Sequence, residues 1–397
     1  MRLICVSLLC IIFLLSACAK RENVNHGSAD DDDGLQNKFE PEKSAPVIDP
    51  VWIRAGEIAL SLDDRLLAAQ VLICGIDGRG SLPLHMKTLL IESPAGGVML
   101  FRYNLDTDND SIRALISQTV SLIKNESGIP PFIAVDHEGG TVSRFLHGVA
   151  VLPAASSYWE LFLAKGKQEA ISKIEEDSLK AAKEIFDLGI NLNFAPVAEY
   201  ITDDNRSFLE SRSYGHDPSF AGEAAAAFIS GMEQAGVLCA IKHFPGSAGP
   251  DPHYSPSILN GDRAALNSLV YPFAALVKNR ARAVMVAHTA VPEIDSEIAS
   301  LSAAVMGNWL REELGFGGLI ISDDFTMAAA GGMKSEEAAI RSVAAGADMV
   351  LVWPPDLRRT HSAFVSALED GRLSRERLRE AAQRVIYEKL RMGLIED

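Results

Sequence analysis

The residues best suited to chemistry stand where apolar runs stop. Val237–Ile241 ends in Lys242 and His243, and a loop rich in glycine and proline continues through Pro256. Inside that loop Asp251 precedes His253 by two positions. An imidazole titrates near neutral pH, and a neighbouring carboxylate orients and tunes it, which is what a proton-transfer group requires. Asp136, His137 and Glu138 follow Val135 in the same manner, Glu199 follows Pro196, His288 follows Ala287, and Asp323 and Asp324 follow Ile321 and Ser322. Taken alone, the Asp251–His253 pair fits a solvated surface loop as well as a reacting one. The repetition of polar clusters at run ends is the stronger signal.

The elements that must position these groups are legible as apolar runs: 70–76, 96–101, 131–135, 190–196, 237–241, 283–287, 318–321 and 348–352. Short runs of continuous apolarity fit strands covered on both faces. Amphipathic segments separate most of them, which predicts a single (β/α)8 TIM-type barrel over residues 51–397. Ile171–Leu188 reads as a helix stopped by Gly189, and Ser374 caps a last helix whose apolar face includes Leu378, Val385 and Ile386. In such a barrel all strand C-termini open on one face, the face that carries active sites. The polar clusters therefore converge, and the pattern points to an enzyme.

Composition excludes other classes. A formal charge of −16 over 397 residues opposes nucleic-acid binding, which needs clustered Lys and Arg. No glycine fingerprint of a dinucleotide or phosphate-binding loop is present, and no cofactor is expected. Residues 1–17 read as a targeting segment: Arg2, an apolar run from Leu3 to Leu15, then Leu15-Ser16-Ala17-Cys18. That tetrapeptide resembles the lipobox of bacterial lipoproteins, so Cys18 is the expected lipidation site. Residues 18–50 are polar, with Asp30 to Asp33 in a row, and read as a disordered tether. The expected setting is the bacterial cell envelope, with the protein held to a membrane by its lipid alone. Cys74 and Cys239 lie in strand-like runs and read as buried thiols, with a bridge between them left open.

Five stretches carry a resemblance: Ala134-Val135-Asp136-His137-Glu138-Gly139-Gly140, Asn193-Phe194-Ala195-Pro196-Val197, Arg212-Ser213-Tyr214-Gly215, Lys242-His243-Phe244-Pro245-Gly246, and Leu314-Gly315-Phe316 with Ile321-Ser322-Asp323-Asp324. In this order they resemble glycoside hydrolase family 3, and the Asp-x-His loop is similar to its bacterial β-N-acetylhexosaminidase (NagZ-like) branch. The resemblance implies Asp323 as nucleophile, with Asp251 and His253 as the acid/base dyad. It also implies that Asp136, Arg144, Arg212, Lys242 and His243 hold a terminal N-acetylglucosamine. The implied activity is a retaining exo-β-N-acetylglucosaminidase acting on peptidoglycan fragments or chitin-type oligosaccharides, as a monomer.

The chemistry agrees with those assignments. A retaining glycosidase needs a carboxylate that attacks the anomeric carbon and a separate donor for the leaving oxygen. His253 would take the donor's place, and Lys242, Arg212 or Arg144 would keep Asp323 ionised. Alternation sends Asp323 and Asp324 to opposite sides, leaving Asp324 to brace the turn. Glu138 reads as a brace and His288 as lining the pocket or capping the sixth strand, while Trp159, Trp309 and Trp353 read as core. The sequence departs from the family pattern at His137 (commonly Gln), Glu199 (usually Asp) and Ser247 (usually His). The loop is also shorter, with Pro252 between the dyad members. A family 3 β-glucosidase or xylosidase, a glycoside phosphorylase and a sugar-binding lipoprotein remain alternatives. A metal hydrolase is disfavoured, because the candidate ligands are not spaced as a metal set.

Overall fold

The computed structural model describes residues 49–279, 281–327 and 330–396. The targeting segment, Cys18 and the tether up to residue 48 lie outside them. The first helix, α1 (Pro50–Ser61), begins one residue before the expected barrel boundary, and its cap lies two before. Asp49 caps it by accepting from the Val51 N–H at 2.9 Å, and takes the Tyr387 hydroxyl at 2.6 Å. Asp49 and Pro50 thus belong to the folded unit.

Eight parallel strands form the barrel: β1 (Leu72–Gly75), β2 (Gly97–Leu100), β3 (Phe132–Val135), β4 (Leu192–Asn193), β5 (Leu238–Phe244), β6 (Ala283–Val286), β7 (Leu319–Ser322) and β8 (Val350–Val352). β8 pairs with β1, and each later strand pairs with its successor through β7. An Ile321–Met349 bridge and the Ser322 N–H to Met349 carbonyl bond at 3.0 Å close the ring. All eight apolar runs of the sequence become strands.

Period-two alternation divides each strand. Ile73, Met99, Phe132, Leu192, Leu238, Met285 and Leu351 belong to the cluster that fills the barrel. Their neighbours Cys74, Val98, Ile133, Ile241, Val284 and Val350 pack in a second cluster with the surrounding helices. Burying strands on both faces removes apolar area from water at roughly 25 cal/mol per Å². That is why the runs are apolar but for Gln70, Asn191, Asn193 and Asp348, all of them buried. Cys74 and Cys239 are both free and buried, and burial pushes both thiols up.

The helices carry the expected ends. α2 (Lys167–Asp187) is followed by Gly189 at φ 99°, where a side chain would be strained. It packs on α3 (Pro218–Gln234) at Gly231, where an added Cβ would meet Ser178 Oγ at 2.1 Å. In the last helix, α4 (Arg375–Arg391), Ser374 Oγ accepts from the Arg377 N–H at 3.1 Å. Val385 from α4 joins the barrel-filling cluster, and the buried Lys389 ammonium lies 5.3 Å from the centre of the Phe132 ring. Among the described residues no helix is long and apolar enough to cross a membrane.

Candidate active site

A cavity of about 270 Å³ opens where the strands end. Its floor is the last inward layer of the barrel, with Met99, Phe194, Met285 and Leu351. Its polar wall is Asp136, Glu138, Arg144, Arg212, Lys242, His243, His253 and Asp323. Seven of the eight expected binding and catalytic residues therefore line one cavity, and Asp251 joins them through His253.

Asp136 and Glu138 leave β3 in a turn that two glycines permit. Gly139 has φ 98° and Gly140 φ 55°, and a Cβ on Gly139 would meet the Pro153 carbonyl at 2.3 Å. Asn193, buried at the end of β4, holds the turn from beneath. Its Oδ1 accepts from the His137 N–H at 2.9 Å, and its Nδ2 donates to the His137 carbonyl at 2.9 Å. The His137 ring is itself buried, which lowers its pKa to about 4 with some help from Arg144.

Lys242 and His243 are consecutive, yet both face the cavity. β5 is out of step with β6 between Ile241 and Phe244, and that irregularity re-aims adjacent side chains. Lys242 Nζ lies 2.8 Å from Asp136 Oδ1 and 2.6 Å from Glu138 Oε1. Arg144 donates to Asp136 Oδ2 at 2.8 Å, and Arg212 binds both Glu138 oxygens at 2.8 and 2.9 Å. Burial alone would raise the Asp136 and Glu138 carboxyls. Lys242, with Arg144 on one side and Arg212 on the other, outweighs it, so both lie below the ordinary carboxylate range. Burial would lower Lys242, and the same two carboxylates raise it instead.

This lattice corrects one expectation. Each of the three cations has its ion-pair partners in Asp136 and Glu138; among the described residues none reaches Asp323 within 4 Å. Glu138, read from the sequence as a brace, is the residue that joins Lys242 to Arg212. Its signal was available in its position, two residues after Asp136 at the mouth of β3.

Asp323 follows β7 and lines the cavity, while Asp324 turns away from it. Asp324 Oδ1 accepts from the Thr326 N–H at 2.9 Å, and Oδ2 takes the Trp353 indole N–H at 2.6 Å. Trp353 stacks on Phe101 at 4.8 Å, and Phe101 on Tyr103 at 5.8 Å. Trp309 is core, but Trp353 is a half-buried donor to the turn beside Asp323. His288 lies outside the cavity lining, a second correction. Its Nδ1 is 2.7 Å from Ser300 Oγ and its ring rests 4.7 Å from Phe325, while its Nε2 is buried without a partner among the described residues.

His253 stands on the most exposed segment of the site. Its Nδ1 is 2.6 Å from Asp251 Oδ1, with the two side chains 57% and 43% exposed. Asp251 begins a turn whose carbonyl accepts from the Tyr254 N–H at 3.0 Å. Pro252 occupies the second turn position, where its fixed φ is favourable and its missing N–H is not needed. Burial would raise the Asp251 carboxyl, but the His253 backbone and ring bonds lower it below the ordinary range. Nδ1 is thereby committed to Asp251, and Nε2 is the nitrogen left for a reacting oxygen.

A barrel that gathers a free carboxylate, a carboxylate-held imidazole and a set of buried cations at its C-terminal mouth is built for bond cleavage with proton transfer. Residues 79–387 match the model of the glycosyl hydrolase family 3 N terminal domain. A β-hexosaminidase of Neisseria meningitidis is 34% identical over 279 residues, 68% of this chain and 75% of that protein. Among solved structures, a family 3 β-N-acetylglucosaminidase from a Paenibacillus species superposes with TM-score 0.77 at 28% identity. That match covers 85% of this chain, which spans 64% of that protein's length. NagZ from Neisseria gonorrhoeae, solved with N-trifluoroacetyl-D-glucosamine, gives TM-score 0.68 at 30% identity over 80% of this chain and 89% of that one. The chain belongs to glycosyl hydrolase family 3, and it is a glycoside hydrolase.

Proposed function

We propose that the protein is a retaining, exo-acting β-N-acetylhexosaminidase that releases terminal N-acetylglucosamine. The observation that carries this reading is the shared cavity of Asp323 and His253, with Asp136, Arg144, Lys242, Arg212 and His243 around it. A cavity of about 270 Å³ with an apolar floor suits one terminal sugar rather than a threaded chain. Buried charges that already pair with one another still have hydrogen-bonding capacity for hydroxyls. Arg144 Nε is buried without a partner, so a sugar oxygen would satisfy it.

In the first step an Asp323 oxygen bonds to the anomeric carbon as the bond from that carbon to the leaving oxygen breaks. His253, protonated on both nitrogens, gives its Nε2 proton to the leaving oxygen. In the second step water attacks the anomeric carbon, His253 Nε2 takes the water proton, and the Asp323 ester bond breaks. Asp251 keeps the imidazole oriented and balances its charge in both steps.

Chitin-type oligosaccharides and peptidoglycan fragments both present the required terminal sugar. The relatives named as β-hexosaminidases and the ligand in the gonococcal structure support an N-acetylated sugar. The test is a panel of aryl β-glycosides. N-acetylglucosaminide should be cleaved far faster than glucoside or xyloside, and preference for either of the latter would overturn the reading. Product analysis with and without phosphate separates hydrolysis from phosphorolysis. We also propose, from the segment ending in Leu15-Ser16-Ala17-Cys18, that the mature protein begins at a lipidated Cys18 in the cell envelope. An unlipidated N-terminal peptide in the mass spectrum of the native protein would refute that.

A further inference from the structure

One buried carboxylate touches neither the cavity nor the three cations, yet holds two parts of the site together. Glu199 is 3% exposed and sits beyond the end of β4. Its Oε1 lies 2.7 Å from His243 Nδ1 and also accepts from the His243 backbone N–H at 3.2 Å. Its Oε2 accepts from the Ser247 N–H at 2.6 Å, and the Ser247 hydroxyl donates to Oε1 at 3.3 Å. His243 faces the cavity, while Ser247 is the root of the loop that carries Asp251 and His253.

We propose that Glu199 is a positioning residue that couples seating of the sugar against His243 to delivery of the His253 acid. The inference rests on the hydrolase reading above. Three features support it.

The base of the loop is also anchored by bonds that do not involve Glu199. Ser257 Oγ bonds both the N–H and the carbonyl of Ala248, at 3.1 and 3.0 Å. Thr289 Oγ1 donates to the Gly246 carbonyl at 2.9 Å. Between these anchors the dyad is held by its own turn and by one backbone bond, Gly249 N–H to the Asp204 carbonyl at 2.7 Å. The exposed turn therefore takes its height over the cavity from its roots, and Glu199 fixes the near one together with Thr289 and Ser257.

Glu199 also selects the ring state that His243 presents. With Nδ1–H committed to Glu199, Nε2 is the atom left to meet Arg212, 3.4 Å away, or a substrate hydroxyl. A charged acceptor that receives two backbone N–H groups and one ring N–H has no neutral equivalent of the same size. The amide of a glutamine would turn a donor toward at least one of them. Finally, Ser247 engages both oxygens of the carboxylate, through its N–H to Oε2 and its hydroxyl to Oε1, so Glu199 grips the loop root at two points.

The test compares wild type with Glu199→Gln and Glu199→Asp on two substrates. One is an aryl N-acetylglucosaminide with an acidic phenol, which needs little protonation on leaving. The other is N,N′-diacetylchitobiose, whose leaving hydroxyl needs a proton. Displacing an acid by about 1 Å costs on the order of 100-fold in its step. Glu199→Gln should therefore lower kcat on the disaccharide roughly 10- to 100-fold more than on the aryl substrate, and raise KM for both. Glu199→Asp can reach one partner but not both, and should fall between Gln and wild type. The ratio of the two substrates is insensitive to the fraction of protein that folds. Equal losses on both substrates would overturn the proposal and leave Glu199 as packing. Failure of wild type to cleave either substrate would instead overturn the N-acetylglucosaminidase reading itself.

Discussion

His253 Nδ1 and its own backbone N–H both converge on Asp251 Oδ1, at 2.6 and 2.9 Å. One carboxylate oxygen thus fixes the tautomer of the imidazole and the shape of the turn that carries it. Replacing His253 by alanine removes the proton donor and leaves the buried ion-pair lattice intact. Turnover of N,N′-diacetylchitobiose should fall ~100- to 10,000-fold, the usual worth of a general acid. Aryl glycosides with acidic phenols should lose much less. Asp251→Asn keeps the turn acceptor but not the charge, and should show the same leaving-group dependence in weaker form. Steady-state kinetics across leaving groups of graded acidity reads both; a flat response would remove His253 from the acid role.

Asp323 and Asp324 are separated by direction, one lining the cavity and the other bonded to Trp353. Asp323→Ala should abolish turnover of every substrate, because no other carboxylate in the cavity is free of a cation. A slow fluorinated glycoside should label the peptide that contains Asp323. Trp353→Phe keeps the ring against Phe101 but removes the indole donor to Asp324. A hydrogen bond to a charged group is worth roughly 1.5–3 kcal/mol, so the turn beside Asp323 should loosen and kcat fall about 10-fold. Fragmentation of the labelled peptide that places the label on Asp324 would exchange the two roles.

The barrel was legible because fully buried strands leave continuous apolar runs, and all eight of them are strands. The mouth was legible because chemistry-bearing residues interrupt those runs at their C-terminal ends. Pairing was not. Whether Lys242 serves Asp136, Glu138 or Asp323 depends on how loops after β3, β5 and β7 fold over one another, and sequence spacing carries no such distance. Asn193 was hidden for a related reason: a buried amide inside an apolar run shows its purpose only when the His137 backbone is seen opposite it. His288 looked like pocket lining from its place after β6, but the Ser300 hydroxyl and Phe325 take it out of the cavity.

Glu138 should be the most sensitive stability position in the site. It is the common partner of Lys242 and Arg212, and Glu138→Gln leaves Lys242 with Asp136, which Arg144 also uses, and Arg212 with no carboxylate within 4 Å among the described residues. Breaking one side of a buried pair costs about 3–5 kcal/mol. The carboxyl is depressed in the folded state, so its contribution is fully present above the unfolded value near 4.5 and is lost as pH falls through the folded one. The gap in unfolding free energy between wild type and Glu138→Gln should therefore be widest at neutral pH and narrow under strong acid. Denaturant titrations across pH measure it, and a gap independent of pH would mean the loss is one of packing.

Lys389 offers the opposite sign at the other end of the barrel. Its ammonium is buried, with Gln70 Oε1 at 2.8 Å as its polar partner, and burial lowers its pKa from 10.5 to about 7. The unfolded chain therefore holds this proton more tightly than the folded one between about pH 7 and 10.5. Stability rises with pH across that window, and the cost of the charge is fully felt below it. A drop of that size corresponds to at most roughly 5 kcal/mol. Lys389→Met keeps the length and removes the charge, at the expense of one hydrogen bond to Gln70. The variant should melt above wild type near about pH 6, with a net gain of about 1–3 kcal/mol, since apolar replacements of buried charges are often stabilising. As pH approaches about 10 the neutral lysine keeps its bond to Gln70, so the difference should vanish or reverse. A constant offset in Tm at all pH values would show that Lys389 holds its proton in the folded protein.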